Sequence, residues 1–165
     1  MTYFPHDLVG ILMISLLLLF FAIAIVTSFL CSLWEAVLLS ITPSYAQIQL
    51  QKGNRLGHRL QAFKDDIDRP LAAILTLNTI AHTVGAIGVG DQAARIWADA
   101  NPLITGLAVP AAMTLAILVL SELIPKTLGA NHWQSLAPVT ATCLEFIIRL
   151  LGPLGWLSQL ITRKL

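Results

Sequence analysis

Residues 8–39 read LVGILMISLLLLFFAIAIVTSFLCSLWEAVLL, and this run decides the fold: across thirty-two positions it holds one formally charged side chain, Glu35. A helix rises about 1.5 Å per residue and bilayer hydrocarbon is about 30 Å thick, so roughly 20 apolar residues suffice to cross. The run exceeds that length. It also exceeds the roughly 7–15 residues of a secretory signal core, and residues 1–7 before it carry no Lys or Arg. It reads as a membrane span that stays with the protein.

Two further stretches, 70–96 and 102–124, satisfy the same length criterion, so the expected fold is an all-α membrane protein with three transmembrane helices. A fourth stretch, 136–161, is apolar but interrupted by Glu145, Arg149, Gly152, Pro153 and Gly155. It is compatible with a fourth span or with a helix lying at the interface. The whole composition agrees: 56% of the 165 residues are hydrophobic, 12% are charged, and the mean hydropathy is +0.78. Soluble domains carry about twice that charged share. Ten Lys and Arg against nine Asp and Glu give a net charge of +1, which leaves no basic surplus for tracking a phosphate backbone and argues against nucleic-acid binding. Cys31 and Cys143 both sit in apolar runs and read as packing residues.

Lys and Arg in short loops stay in the cytoplasm. The segment between the first two spans holds Lys52, Arg55, Arg59, Lys64 and Arg69, whereas the next connection holds only Arg95. The amino terminus is therefore expected outside. With three crossings Lys126 lies inside, and so does the terminal Arg163–Lys164 pair if 136–161 does not cross. The charge rule thus favours an interfacial helix there and a cytoplasmic carboxyl terminus. The connector, 43–68, reads as one or two short helices with a weak apolar stripe of Leu50, Leu56, Leu60 and Phe63, broken near Gly53 and Asn54 into a hairpin.

Inside a bilayer an ionisable group at depth costs several kcal/mol unless it is paired, neutralised or bound to an ion, so polar residues within the spans carry the functional information. In the first span Ser28, Ser32 and Glu35 share one helical face. The second carries Asn78 and His82 one turn apart, and the third ends in Ser121-Glu122-Leu123-Ile124-Pro125-Lys126. Counted inward from Ser40, Pro70 and Lys126, Ser32 and Asn78 lie about 12 Å deep and Glu122 about 6 Å deep. Converging faces would form an oxygen-lined pocket with one negative charge, which suits a hard divalent cation. The ring of Pro125 removes a donor and crowds the carbonyl at position 121, so distortion is expected around Ser121 and Glu122. Other readings stand beside this one. Serines bond to their own backbone and Asn78 can staple two helices. Glu35 can reach headgroup water or pair with a Lys, His82 can be a pH-sensitive gate or a packed neutral ring, and Glu122 can pair with Lys126 at i+4.

Three motifs resemble the transmembrane domain of the CNNM and CorC magnesium transporter family: Ser32-Leu33-Trp34-Glu35-Ala36, similar to its S-x-x-E-A; Leu77-Asn78-Thr79, similar to the Asn of its second helix; and Ser121-Glu122-Leu123-Ile124-Pro125-Lys126-Thr127-Leu128, similar to its G-E-x-x-P-K. The resemblance covers all three spans in order, and the third motif is the most specific. It implies a homodimer whose protomers each carry three transmembrane helices and a belt of juxtamembrane helices. It also implies Mg2+ export, driven by Na+ entry, from the inner membrane of the cell, with the ion held by side-chain and backbone oxygens. Carried over by position, the metal shell is Ser28, Ser32, Asn78 and Glu122, with Ser121 contributing through its backbone. Ser121 stands in place of the family's usual Gly, and His82 where many relatives place a second Asn. The family's CBS-domain pair, which binds ATP and Mg2+, is expected to be absent from these 165 residues, which correspond to the membrane domain.

The expected activity is therefore Mg2+ transport and no enzymatic reaction. An alternative is a membrane Mg2+ sensor or anchor that moves no ion and modulates another channel. An intramembrane protease finds no support, because the expected spans carry neither an HExxH motif nor paired aspartates.

Overall fold

A computed structural model describes residues 6–97 and 103–162. Residues 1–5, the 98–102 connection with the start of the expected third span, and the Arg163–Lys164 pair lie outside the described residues. Every described element is helical. Three helices are long and apolar enough to cross a membrane.

The first helix, α1 (His6–Ser40), is the axis of the molecule. It ends at Ser40, and Thr42 restarts the chain: its hydroxyl accepts from the Tyr45 amide at 3.2 Å while Pro43 occupies the first turn of α2 (Pro43–Gln51). Gly53 takes φ +67, a left-handed conformation that favours glycine. Asn54 then caps α3 (Arg55–Asp65), its side-chain oxygen accepting from the Gly57 amide at 2.8 Å. At Gly57 the two helices cross so closely that a Cβ would collide with the backbone of Gln49 and Leu50. The connector is thus the hairpin that Gly53 and Asn54 announce in the sequence.

The second span is α4 (Asp68–Ile96). It runs antiparallel to α1 at close range because glycines face it: a Cβ on Gly85 would strike Ala24, and one on Gly88 would lie 2.5 Å from the Phe20 ring. The third span comprises a π-helical turn at Ile104–Ala108, then α5 (Val109–Ala116), then a second π-helical stretch at Ile117–Leu123 that passes directly into α6 (Ile124–Thr162). The helix therefore does not stop at residue 124. The wider π turn bonds the Ile124 amide to the Val119 carbonyl, and in that register the missing amide of Pro125 lets the chain continue as a helix. The break comes later, at His132, whose φ −116 and ψ 20 are non-helical. Beyond it, residues 133–151 turn back against the connector.

That return makes the core. Val37 and Leu38 of α1, Ile41 just after it, Leu60 and Phe63 of α3, Ile74 of α4 and Ala137, Ala141, Leu144 and Ile148 of α6 pack at the connector end of the bundle. Tyr45 and Trp133 meet edge to face there, with ring centroids 5.1 Å apart. Arg59 reaches across to Glu145 at 2.6 Å and to the Thr142 hydroxyl at 3.0 Å. Lys64 donates to the Leu38 carbonyl at 3.1 Å, and burial there lowers its pKa below the usual lysine value.

Candidate functional site

The close approach of α1 and α4 fixes which polar residues can meet. One turn beyond the Ala24–Gly85 contact, Ser28 Oγ and His82 Nε2 lie 2.7 Å apart in a hydrogen bond, the hydroxyl donating where Nε2 carries no proton. A further turn along the same antiparallel register sets Ser32 level with Asn78. The third span runs parallel to α1. Lys126 pairs with Glu35 at 3.6 Å, and a Cβ on Gly129 would lie 2.8 Å from Ala36 Cβ and 2.8 Å from the Leu33 carbonyl. Followed back through the π stretch, this register carries Ser121 to about the level of Ser28, one turn from Ser32.

These positions are enclosed. Ser28, Ser32 and Ser121 are 0%, 1% and 0% exposed. Ser121 donates its hydroxyl proton to the Ile117 carbonyl at 2.7 Å, which leaves the oxygen lone pairs as its remaining capacity. Asn78 is half-buried as a residue, yet its Oδ1 is fully enclosed and has no hydrogen-bond partner. An orphaned buried acceptor is uncommon in folded proteins and marks a place where a donor or cation belongs. Among the described residues no three His, Cys, Asp or Glu side chains converge on a metal position. A metal-holding set among the described residues would therefore rest mainly on hydroxyl, amide and carbonyl oxygens with no more than two such side chains among them, and with carboxylates in those places it is a hard-cation set.

Glu122 follows Ser121 on the π stretch and is half-buried. The competing salt bridge with Lys126 is absent, since Lys126 turns instead to Glu35. Of the residues singled out in the sequence, then, Ser28 and Ser32 face α4, which carries Asn78, and Ser121 is buried on the third span, while Glu35 belongs to an ion pair that ties α1 to α6. Pro125 offers no amide to the Leu120 carbonyl in π register or to the Ser121 carbonyl in α register, so backbone oxygen is available beside Glu122. The contribution missed in the sequence is that of His82. Its one-turn spacing from Asn78 is visible, but its bond to Ser28 depends on the α1–α4 register.

Comparison with known proteins adds a family. The profile of the Cyclin M transmembrane N-terminal domain, CNNM, matches residues 17–165. The chain is similar to the UPF0053 protein sll1254 of Synechocystis sp., 33% identical over 141 residues that cover 85% of this chain and 39% of that protein. It is similar to a UPF0053 protein of Haemophilus influenzae, 27% identical over 92% of this chain and 35% of the relative. The UPF0053 inner membrane protein YfjD of Escherichia coli is 29% identical over 70% of this chain and 26% of its own length. The chain thus spans less than two fifths of each of these relatives.

Proposed function

The chain belongs to the CNNM family of transmembrane domains, and from that premise we propose that this multi-pass membrane protein exports Mg2+ as a secondary transporter driven by Na+ entry. Its substrate is held as a dehydrated ion by Ser28, Ser32, Asn78 and Glu122, with backbone oxygen at Ser121. The observation that carries the reading is the unpartnered, buried Oδ1 of Asn78 on a helix packed closely against the one that buries Ser28 and Ser32.

The chemistry follows from the donors. Mg2+ is small and gives up water reluctantly, so a protein that moves it must offer oxygens at short range in place of several waters. Serine hydroxyls and the Asn78 carbonyl supply neutral dipoles, and the Glu122 carboxylate offsets part of the ionic charge, which the hydrocarbon would otherwise penalise heavily. A rigid cage would trap the ion. The π stretch Ile117–Leu123, just before Pro125, is the element whose hydrogen bonding can change register, and with it the reach of Glu122, at small cost. Na+ entering the same or an adjacent set of oxygens from outside would exchange for Mg2+ arriving from the connector side. The working unit is proposed as a homodimer with outward amino termini, in the inner membrane, in keeping with the name of the Escherichia coli relative.

The test is Mg2+ efflux from proteoliposomes together with calorimetric Mg2+ binding for N78A and E122A. A charge-assisted contact is worth about 1.5–3 kcal/mol, so E122A should weaken binding roughly 10–100-fold, and N78A should fall toward the lower end of that range. Wild-type behaviour in both variants would remove the site. Binding without flux in the unmodified protein would favour a sensor over a transporter.

A further inference from the structure

A cavity lies away from the serines and Asn78, at the connector end of the bundle. It has a volume of about 270 Å3 and is walled by α3, the first turn of α4 and α6. Three guanidinium groups, Arg59, Arg69 and Arg149, share its lining with Asp66, Glu145 and Phe63. Counting formal charges, three cations against two carboxylates leave the lining at +1. Glu145 is already paired, since it forms an ion pair with Arg59 Nε at 2.6 Å and accepts from Arg149 Nη2 at 2.5 Å. Each of those guanidiniums has five N–H donors, so both keep donors to spare. Arg69 is exposed and makes no hydrogen bond or ion pair among the described residues.

The surroundings decide what kind of anion fits. Arg149 borders a stripe of α6 formed by Phe146 and Leu150, which are 68% and 64% exposed, and Val139 two turns back extends the same apolar stripe. A soluble anion gains nothing from such a stripe. A molecule with a phosphate at one end and hydrocarbon behind it gains from both parts, and the cavity stands where α4 begins its crossing, at the depth where headgroups meet acyl chains.

We propose that this cavity is a binding site for an anionic membrane phospholipid, with the headgroup phosphate between Arg69 and Arg149 and an acyl chain along Phe146 and Leu150. Arg59 and Glu145 hold Arg149 in place, and Asp66 limits the site to ligands whose charge outweighs its repulsion. The bound lipid ties α3, α4 and α6 together at the end of the bundle where the connector packs.

The experiment compares phosphatidylglycerol with phosphatidylcholine retained by the purified chain, read by native mass spectrometry. A cationic side chain near the headgroups is worth roughly fivefold in anionic lipid affinity. The unmodified chain should retain phosphatidylglycerol at least about fivefold over phosphatidylcholine, R69Q should lose most of that preference, and R69Q/R149Q should lose all of it. R69Q alone keeps the result interpretable, because Arg69 supports no other side chain and its replacement leaves the Glu145 pairs intact. D66N should raise the preference. K52Q/R55Q, which removes basic residues of the connector outside the cavity, should leave it unchanged. Three results would overturn the proposal: a preference that survives R69Q/R149Q, a preference lost equally in K52Q/R55Q and so due to diffuse attraction, or displacement of the lipid by millimolar inorganic phosphate, which would make the ligand a soluble anion.

Discussion

Several hydroxyl groups of the spans follow the ordinary membrane habit and bond to a carbonyl on their own helix: Thr76 to Ala72, Thr79 to Leu75, Thr114 to Pro110 and Ser121 to Ile117. Ser28 does otherwise, bonding across to His82. The imidazole thereby fixes where the serine oxygen points, a positioning role that requires a hydrogen-bond partner at 82 and no particular charge. H82A should weaken Mg2+ binding by roughly fivefold, equivalent to one lost hydrogen bond of about 1 kcal/mol. H82N, which offers a donor and an acceptor of its own, should recover most of the loss. Calorimetric titration of both variants against the parent checks this, and equal affinity for H82A and the parent would show the bond to be idle. At this scale the sequence is legible where partners share a helix and opaque where they do not. The face shared by Ser28 and Ser32 follows from helical spacing, while the choice of Lys126 for Glu35 over Glu122 depends on where α6 lies against α1.

Pro125 shows the same limit for an element. Its side chain predicts distortion near Ser121 and Glu122, and the π stretch Ile117–Leu123 is that distortion. The helix runs on past the proline: a π register absorbs the missing amide, and α6 continues to the break at His132. The hairpin of α2 and α3 is legible throughout because its determinants are local, namely a capping Thr42, a left-handed Gly53 and a capping Asn54. P125A restores the amide and removes the reason for the wide turn. A proline inside a helix costs about 3 kcal/mol, part of which the π turn already recovers, so P125A should stabilise the folded chain by about 1–2 kcal/mol. If the register change is what lets Glu122 release its ion, the same substitution should slow Mg2+ efflux while leaving binding nearly intact. Thermal unfolding in detergent and liposome flux measured on one preparation test both halves.

For the whole molecule, hydropathy foretells three crossings but not where the core forms. The spans themselves bury little besides small and polar residues, and their exposed faces carry Leu18, Ile23, Val84, Ile87 and Leu115 toward lipid. The large buried side chains gather at the connector end, because the 133–151 part of α6 has two apolar faces and lays one of them on α1, α3 and α4. A single-sequence reading sees an interrupted hydrophobic stretch and cannot assign its faces. Glu145, which looks like a flaw in that stretch, is its attachment point: it joins α6 to α3 through Arg59 and to its own next turn through Arg149. Both members of the α3–α6 pair are about 30% exposed on their side chains, so screening holds its value to about 0.5–1 kcal/mol. E145Q and R59Q should each cost about that much, and the double variant should cost less than the sum, since either change alone already severs the tie. The loss should appear first as faster amide exchange in residues 133–151 and in α3, with α1 and α4 protected as before. Uniform loosening across all helices would show instead that the return of α6 is part of the spanning bundle and cannot open separately from it.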